Sequence, residues 1–352
     1  MHNSFSTIKL GSKIIGDGHP IYIMADLGLT NGGDLDRSLK LIDKAAELGV
    51  DAVKFQMIEP EKLLGDKLAE YTYQTLKNGL KTETYHNMFS KLSYSESEWK
   101  TIADYAKSKK LEFICTAHVI EAVAVLERVG VNIHKICTWS MNHKRLVQEI
   151  GKTKKPLMLD TGMFTTSTLL RTLNWHIECG GLGVIILHDF HTLNTSQMNF
   201  RAIPFMKKKF GYPVGYTPQG RDRDMDFMSI GLGVNVLEKR LTLDRSIPEN
   251  GHFKSLEPNE FSLWIKCVKE LESSLGFYSV LPTDDDMKIS KIGFKSLYLN
   301  QDIEKNEIIS NVMISAKRPG DGILADKIDD VCGRTARHNI KKGTKLKWED
   351  FY

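Results

Sequence analysis

The sequence predicts an α/β protein, a (β/α)₈ TIM barrel followed by a small β-rich domain. Three observations carry this. Eight short apolar runs alternate with helical patterns between Ile21 and Leu275, and such alternation implies parallel βαβ units. Eight units in about 250 residues suit a closed barrel better than an open doubly wound sheet. No Gly-x-Gly-x-x-Gly follows an early run, which removes the main support for a dinucleotide fold.

The elements follow in order. A leader leads into a hairpin through Ile14-Ile15 and Gly16-Asp17-Gly18, then the strand Ile21–Ala25, which ends at Asp26. Leu35, Leu39, Ile42 and Ala46 fall at helical spacing, and Gly49 closes that helix. Val50–Phe55 is a strand carrying Lys54 and Gln56 at its end. Pro60 to Tyr94 breaks the rhythm and reads as an inserted loop-and-helix excursion. Ser95-Glu-Ser-Glu98 has the form of a capping box opening the next helix.

Further strands are Leu111–Cys115 ending at Thr116, Ile133–Cys137 with Thr138 beyond, and Leu157–Leu159 before Asp160 and Thr161. Val184–Leu187 runs into His188-Asp-Phe-His191, Pro213–Tyr216 ends at Thr217 and Gln219, and Val234–Leu237 delivers Glu238, Lys239 and Arg240. Intervening helices stop at Gly130 and Gly151, and Phe261, Trp264, Ile265, Val268 and Leu271 form one apolar helix face after Pro258. Residues 1–275 are thus the barrel, 276–290 a polar linker and 291–352 a small domain of short strands.

The composition narrows the function. Net charge is +4 over 352 residues, with acids and bases interspersed, which does not suit nucleic acid. No apolar run approaches the length of a membrane span, and Met1–Ser12 lacks the apolar core of a signal peptide. Cys115, Cys137, Cys179, Cys267 and Cys332 are odd in number and share no Cys-x-x-Cys spacing. That argues against a disulfide framework and a zinc site, and for a cytoplasmic, reducing compartment.

Catalytic residues of such barrels sit at the C-terminal ends of the strands. Those ends carry Asp26, Lys54, Gln56, Thr116, Lys135, Thr138, Asp160, Thr161, His188, Asp189, Thr217, Gln219, Glu238 and Arg240. Two lysines, an arginine and several hydroxyls predict an electropositive cup for a phosphorylated or carboxylated small molecule. Lys54 and Lys135 lie inside apolar runs, and a buried lysine needs a partner. His188, Asp189 and His191 have metal-ligand chemistry at short spacing, and an ordinary loop explains them equally well.

The motifs Val50-Asp-Ala-Val-Lys-Phe-Gln56, Phe113-Ile-Cys-Thr116, His134-Lys-Ile-Cys137, Asp160-Thr-Gly-Met163, Arg201-Ala-Ile-Pro204, Pro213-Val-Gly-Tyr-Thr217, Glu238-Lys-Arg-Leu-Thr-Leu-Asp244 and Ser255-Leu-Glu-Pro258 together resemble the bacterial sialic acid (N-acetylneuraminate) synthases. Lys317-Arg-Pro-Gly-Asp-Gly-Ile323 and Asp302-Ile-Glu-Lys-Asn-Glu307 resemble that family's antifreeze-like SAF domain. The resemblance covers nearly the whole chain. It implies condensation of phosphoenolpyruvate with the open-chain aldehyde of an N-acylated amino-sugar aldose, giving a nonulosonic acid and phosphate. It also implies a domain-swapped homodimer and a divalent metal, manganese or magnesium, as Lewis acid.

Residue by residue, the resemblance implies phosphoenolpyruvate binding by Lys54, Thr116, Lys135, Thr138, Asp160 and Thr217. It implies sugar binding by Arg318 and His188, and catalytic positions at Asp26, Gln219 and Arg240. Gln219 and Arg240 stand where the resemblance has metal-binding histidines, Asp26 stands for a glutamate and Asp160 for a serine. Arginine cannot coordinate a cation. Three readings follow: Arg240 supplies the metal's charge itself, Arg240 joins a salt-bridge network with Asp26, Asp160 or Glu238, or His188, Asp189 and His191 hold a relocated metal. Two other functions stand beside the synthase: a repurposed barrel using Asp26, Asp160 and Glu238 as acid–base groups on a sugar or carboxylate, and a non-catalytic regulatory paralogue.

Overall fold

A computed structural model describes residues 6–352, so Met1–Phe5 of the leader lie outside the described residues. The chain divides into two compact units, Met1–Leu275 and Gly276–Tyr352.

In the first unit eight parallel strands close a barrel: β1 (Tyr22–Asp26), β2 (Ala52–Met57), β3 (Glu112–Ala117), β4 (His134–Ile136), β5 (Leu157–Asp160), β6 (Val184–Asp189), β7 (Val214–Thr217) and β8 (Val236–Arg240). Each pairs with its neighbour in sequence, and β8 returns to β1 with Arg240 opposite Asp26. The covering helices are α1 (Leu35–Leu48), α2 (Glu96–Ser108), α3 (Ile120–Val129), α4 (Lys144–Lys152), α5 (Thr166–Glu178), α6 (Ala202–Phe210), α7 (Asp224–Gly231) and α8 (Pro258–Ser274).

Several strands run past their apolar runs. β6 continues through His188 and Asp189, and β8 starts two residues later than expected and takes in Glu238, Lys239 and Arg240. The ladder continues because the neighbouring strands still offer partners there, so the polar residues belong to the strands themselves. Their side chains therefore alternate between barrel interior and helix layer. Met24, Ala52, Ile114, Ile133, Met158, Ile185, Leu187 and Val236 form one buried interior cluster. Residues two positions on from several of these, namely Asp26, Lys54, Thr116, Lys135, Asp160, Asp189 and Glu238, form the next layer towards the C-terminal end. Gly215 leaves room in this interior: a Cβ there would lie 2.5 Å from Leu187 and 2.7 Å from Val236.

The opposite parity faces outwards. Lys239 therefore does not join the cup. Its Nζ reaches Asp226 of α7 at 2.6 Å, and Trp264 of α8 donates to the same carboxylate at 2.8 Å. Burial pushes Asp226 up to about 6 and pulls Lys239 down, each offset by the other's charge.

The floor is closed by an N-terminal hairpin, Ile8–Leu10 with Lys13–Ile15, whose Ile8, Leu10 and Ile15 join the interior cluster. The hairpin thus turns at Gly11 and lies upstream of the expected Gly16–Gly18 turn.

Local signals explain most helix ends. Asp34 caps α1 and Gly49 ends it at φ +74°, Ser95 and Glu98 form the expected capping box of α2, and Gly130 ends α3 at φ +91°. Gly151 departs from expectation by lying inside α4. There a Cβ would meet the His176 carbonyl of α5 at 2.5 Å, so the glycine permits close helix packing rather than a stop. The excursion after β2 contains a hairpin, Glu70–Thr75 with Gly79–Thr84, turned through Asn78-Gly79 with Gly79 at φ +67°.

In the second unit α9 (Asp284–Gly293) begins inside the stretch expected as linker, started by a Thr283–Asp286 capping box. Ser296–Leu299 pairs antiparallel with Ile314–Lys317 around a core that includes Leu297, Leu299, Ile303, Ile340, Leu346 and Phe351. Val312 sits exposed in a 3₁₀ turn just before the second of these strands. Among the described residues no helix is long and apolar enough to cross a membrane, and all five cysteines are free thiols.

Candidate active site

The C-terminal end of the barrel holds a continuous chain of buried charges. Lys54 Nζ lies 2.9 Å from Asp26 Oδ1 and 3.1 Å from Glu238 Oε1. Glu238 Oε2 accepts from Lys135, whose Nζ also reaches Asp160 Oδ1 at 3.2 Å. Arg240 Nε approaches the second oxygen of Asp26 at 3.5 Å. Lys135 is fully buried and Glu238 nearly so. Glu238 is therefore the hub, bridging two lysines delivered by β2 and β4. Thr217 Oγ1 lies at the outer limit of hydrogen bonding to it, 3.4 Å.

A second string lies beside the first. Asp189 accepts from Thr138 Oγ1 at 3.0 Å and from Gln219 Nε2 at 2.6 Å, with His191 Nε2 3.8 Å away. The Gln219 carbonyl links the strings by accepting from Arg240 Nη1 at 3.4 Å. Thr116 Oγ1 is buried with no hydrogen-bond partner, in register with Gln56 and Lys135.

These contacts correct the expectation of an electropositive cup. Lys54, Lys135 and Arg240 give three cations, while Asp26, Asp160, Asp189 and Glu238 give four carboxylates within the two strings of contacts. Burial alone would raise Asp26, but Lys54 and Arg240 outweigh it and hold the carboxyl at about 2. Glu238 is likewise lowered because Lys135 and Lys54 outweigh its burial. Lys54 and Lys135 are raised despite desolvation, by Asp26, Glu238 and Asp160. Asp160 takes the strain of the extra negative charge. Burial pushes it up, Lys135 only partly offsets that, and Glu238 and Asp189 add to it, leaving it at about 7.

This gives a pH prediction. An acid raised in the folded state contributes stability that is complete below its unfolded value near 4 and is lost as pH rises through about 7. The stability of Asp160→Asn relative to the natural protein is therefore expected to improve from pH 5 to about pH 7 and to level off by pH 8. Urea midpoints across that range test it, and a difference independent of pH would contradict it.

One sequence-predicted residue of the barrel, His188, is not brought into this cluster. His188 follows the outward parity of β6. Its Nε2 contacts the Met198 carbonyl at 3.0 Å, its ring packs on Phe190 and Phe200, and burial lowers it to about 4. It consequently points away from Asp189, and the trio His188, Asp189 and His191 does not converge as a metal site. Arg318 belongs to the second unit, where its Nε donates to Gly293 O at 2.8 Å.

The donor set does not fit a divalent cation at Gln219 and Arg240 either. Arg240 has no lone pair to give, Gln219 uses its amide N–H on Asp189, and Asp26 is engaged by Lys54 and Arg240. Among the described residues no three His, Cys, Asp or Glu side chains are grouped so as to hold a metal.

Two rim features were missed from sequence. Trp139, just after β4, is 63% exposed and its ring sits edge-on to His191 at 4.7 Å. An exposed tryptophan directly after a strand-end threonine was the available signal. His118, buried after β3, approaches Gln56 Oε1 at 3.2 Å and is lowered to about 4 by burial and Lys54. Nothing in its local sequence pointed to the site.

Comparison with known proteins adds the ancestry. The chain is 27% identical to N,N'-diacetyllegionaminic acid synthase of Legionella pneumophila, over 96% of this chain and 97% of that protein. It is 28% identical to pseudaminic acid synthase of Campylobacter jejuni, over 94% and 96%. The fold matches the sialic acid synthetase structure from Leptospira borgpetersenii, with TM-score 0.73 and 23% identity over 82% of this chain and 96% of that one. The NeuB family matches residues 41–279, and the SAF domain matches residues 294–351. With a barrel of this geometry and a family match over most of its length, the chain belongs to the NeuB family and carries a C-terminal SAF domain.

Proposed function

We propose that this chain is a synthase joining phosphoenolpyruvate to the open-chain aldehyde of an N-acylated amino-sugar aldose, forming a nonulosonic acid. The observation that carries the proposal is the buried chain Lys54–Glu238–Lys135 at the barrel mouth. Each ammonium has three N–H donors and two carboxylate partners, so each keeps one donor for a ligand anion. Thr116, with its buried and unpartnered hydroxyl, offers a third. The named activities of the Legionella and Campylobacter relatives support the same reading.

In this reading Lys54, Lys135, Thr116, Thr138 and Thr217 hold phosphoenolpyruvate. C3 of the enol forms the bond to the aldehyde carbon, whose oxygen takes up a proton. Water adds its hydroxyl at C2, and the resulting tetrahedral centre expels phosphate to leave the ketone. Arg240, held by Asp26 and the Gln219 carbonyl, supplies positive charge to the alkoxide as it develops, altering chemistry that the resemblance assigns to a metal. Asp160, poised at about 7, carries the proton between water and alkoxide. Cytoplasmic action as a domain-swapped homodimer belongs to the same proposal.

The internal pairing of every mouth cation favours a second reading, a barrel that keeps its charge network for structure and binds without turnover. Incubating the full chain with phosphoenolpyruvate and N-acylated aldoses, with and without manganese, separates the two. Release of inorganic phosphate dependent on both substrates supports the synthase. Absence of release with every aldose and metal condition refutes it.

A further inference from the structure

Beyond the layer of Lys54, Thr116 and Lys135, the same three strands deliver one more inward-facing layer. Gln56 of β2, His118 after β3 and Cys137 after β4 each stand two positions further on, the spacing that returns a side chain to the same face. The three touch in a row. His118 Nε2 lies 3.2 Å from Gln56 Oε1, and His118 Nδ1 lies 3.7 Å from the Cys137 sulfur. His118 is buried, and its two partners are half-buried.

The surroundings decide where the hydrogens of this row sit. Burial and Lys54 hold His118 at about 4, so near neutral pH the imidazole has one donor and one acceptor nitrogen. Burial and Asp160 push the Cys137 thiol up to about 11, so it keeps its hydrogen. Trp139 and Ser140 hydrogen-bond to the sulfur, which leaves the S–H free to donate. The thiol therefore donates to Nδ1, the imidazole proton sits on Nε2, and Nε2–H donates to Gln56 Oε1.

This arrangement turns the two amide hydrogens of Gln56 away from His118. Among the described residues Gln56 Nε2 has no hydrogen-bond partner. Gly28 leaves the space it occupies: a Cβ there would lie 2.7 Å from Gln56 Nε2 and 3.0 Å from Asp26 Oδ1. The reversed amide would turn the Gln56 carbonyl oxygen towards the Asp26 carboxylate, two acceptors with no hydrogen between them.

We infer that His118, set by Cys137, is a positioning residue that locks the Gln56 amide with its N–H donors towards the mouth, where they bind an oxygen of the second substrate. The assignment to the second substrate rests on the synthase reading above, because Gln56 lies one layer beyond Lys54, on the side where the aldose enters. A fixed amide selects by hydrogen-bond sign. It favours a hydroxyl or acyl carbonyl oxygen at that place, and an amide free to turn over would not discriminate.

Two measurements on the full chain test this. The first is the nitrogen spectrum of histidine-labelled protein, with the His118 signals identified by their loss in His118→Phe. They should show the neutral Nε2–H tautomer, displaced by Cys137→Ala and kept by Cys137→Ser, whose hydroxyl still donates. The second is phosphate release with an N-acylated aldose. His118→Phe should raise the aldose KM about tenfold, the value of one lost hydrogen bond, with kcat and the phosphoenolpyruvate KM little changed. In a Gln56→Ala background the same substitution should add less than about twofold, because its effect passes through Gln56.

An Nδ1–H tautomer, or signals unmoved by Cys137→Ala, would overturn the relay whether or not the chain turns over. An aldose KM unchanged in His118→Phe, a phosphoenolpyruvate KM raised as much, or an effect that persists in full without Gln56 would overturn the positioning role. Either result leaves the synthase reading standing wherever the natural protein releases phosphate. The expected tautomer in a chain that releases none with any aldose supports the relay and sinks the synthase reading.

Discussion

Replacing Glu238 by alanine is expected to destabilise the barrel by about 3–5 kcal/mol, the usual cost of removing one partner from a buried ion pair. Glu238 contacts both Lys54 and Lys135, so its loss leaves each lysine with only one carboxylate, Asp26 or Asp160. The remaining network then carries three cations and three carboxylates, and Asp160 loses the negative neighbour that helps to raise it. Urea unfolding at pH 7 should show the loss as a lower midpoint with an unchanged slope. A cost below about 1 kcal/mol, the value of a surface ion pair, would mean that water relieves the pair and that Glu238 is no hub.

The second large effect concerns ligand binding. Lys135→Met removes a fully buried ammonium with an unbranched apolar chain of similar length. Phosphoenolpyruvate should then bind at least about 100-fold more weakly, because charge-assisted hydrogen bonds contribute about 1.5–3 kcal/mol each. Lys54→Met should act similarly. Both variants leave carboxylates short of counter-charge, so titrations belong at low temperature, with circular dichroism confirming a folded barrel. Affinity unchanged in both variants would place phosphoenolpyruvate elsewhere or nowhere on the chain.

How much of this was legible in the sequence follows from the period of a strand. The apolar runs disclosed the eight strands, and the barrel places their ends together whatever the details. Lys54 and Lys135 could be singled out because a lysine inside an apolar run is expensive without a partner. Which residues share a face depended on strand register, and a shift of one residue exchanges inside for outside. Lys239 and His188 show the consequence: each sits beside a mouth residue in sequence, yet points into the helix layer. Glu238 stood out only as one charge among three, since its role depends on two lysines more than a hundred residues away on other strands. The net sign of the mouth was illegible for the same reason. Counting cations at strand ends gave an electropositive cup, whereas the register folds four carboxylates in among them. The hairpin after β2 was present in the sequence as alternation around Asn78-Gly79, a turn signal hidden by the charged character of that stretch.

Arg240 joins Asp26 of the adjacent strand β1 rather than Asp160, so Asp160 remains with Lys135 and keeps its proton near neutral pH. That partition leaves the guanidinium at the rim and the two lysines deeper in the barrel, an arrangement suited to an anionic enol below and an aldehyde above. A crystal of the full chain soaked with phosphoenolpyruvate tests this most directly. The account predicts ligand density at the barrel mouth with its anionic oxygens on Lys54, Lys135 and Thr116 and Arg240 facing the enol C3 side. A mouth in which the Lys54–Glu238–Lys135 chain is unchanged and no ligand is bound, at concentrations that saturate the protein in solution, would contradict it.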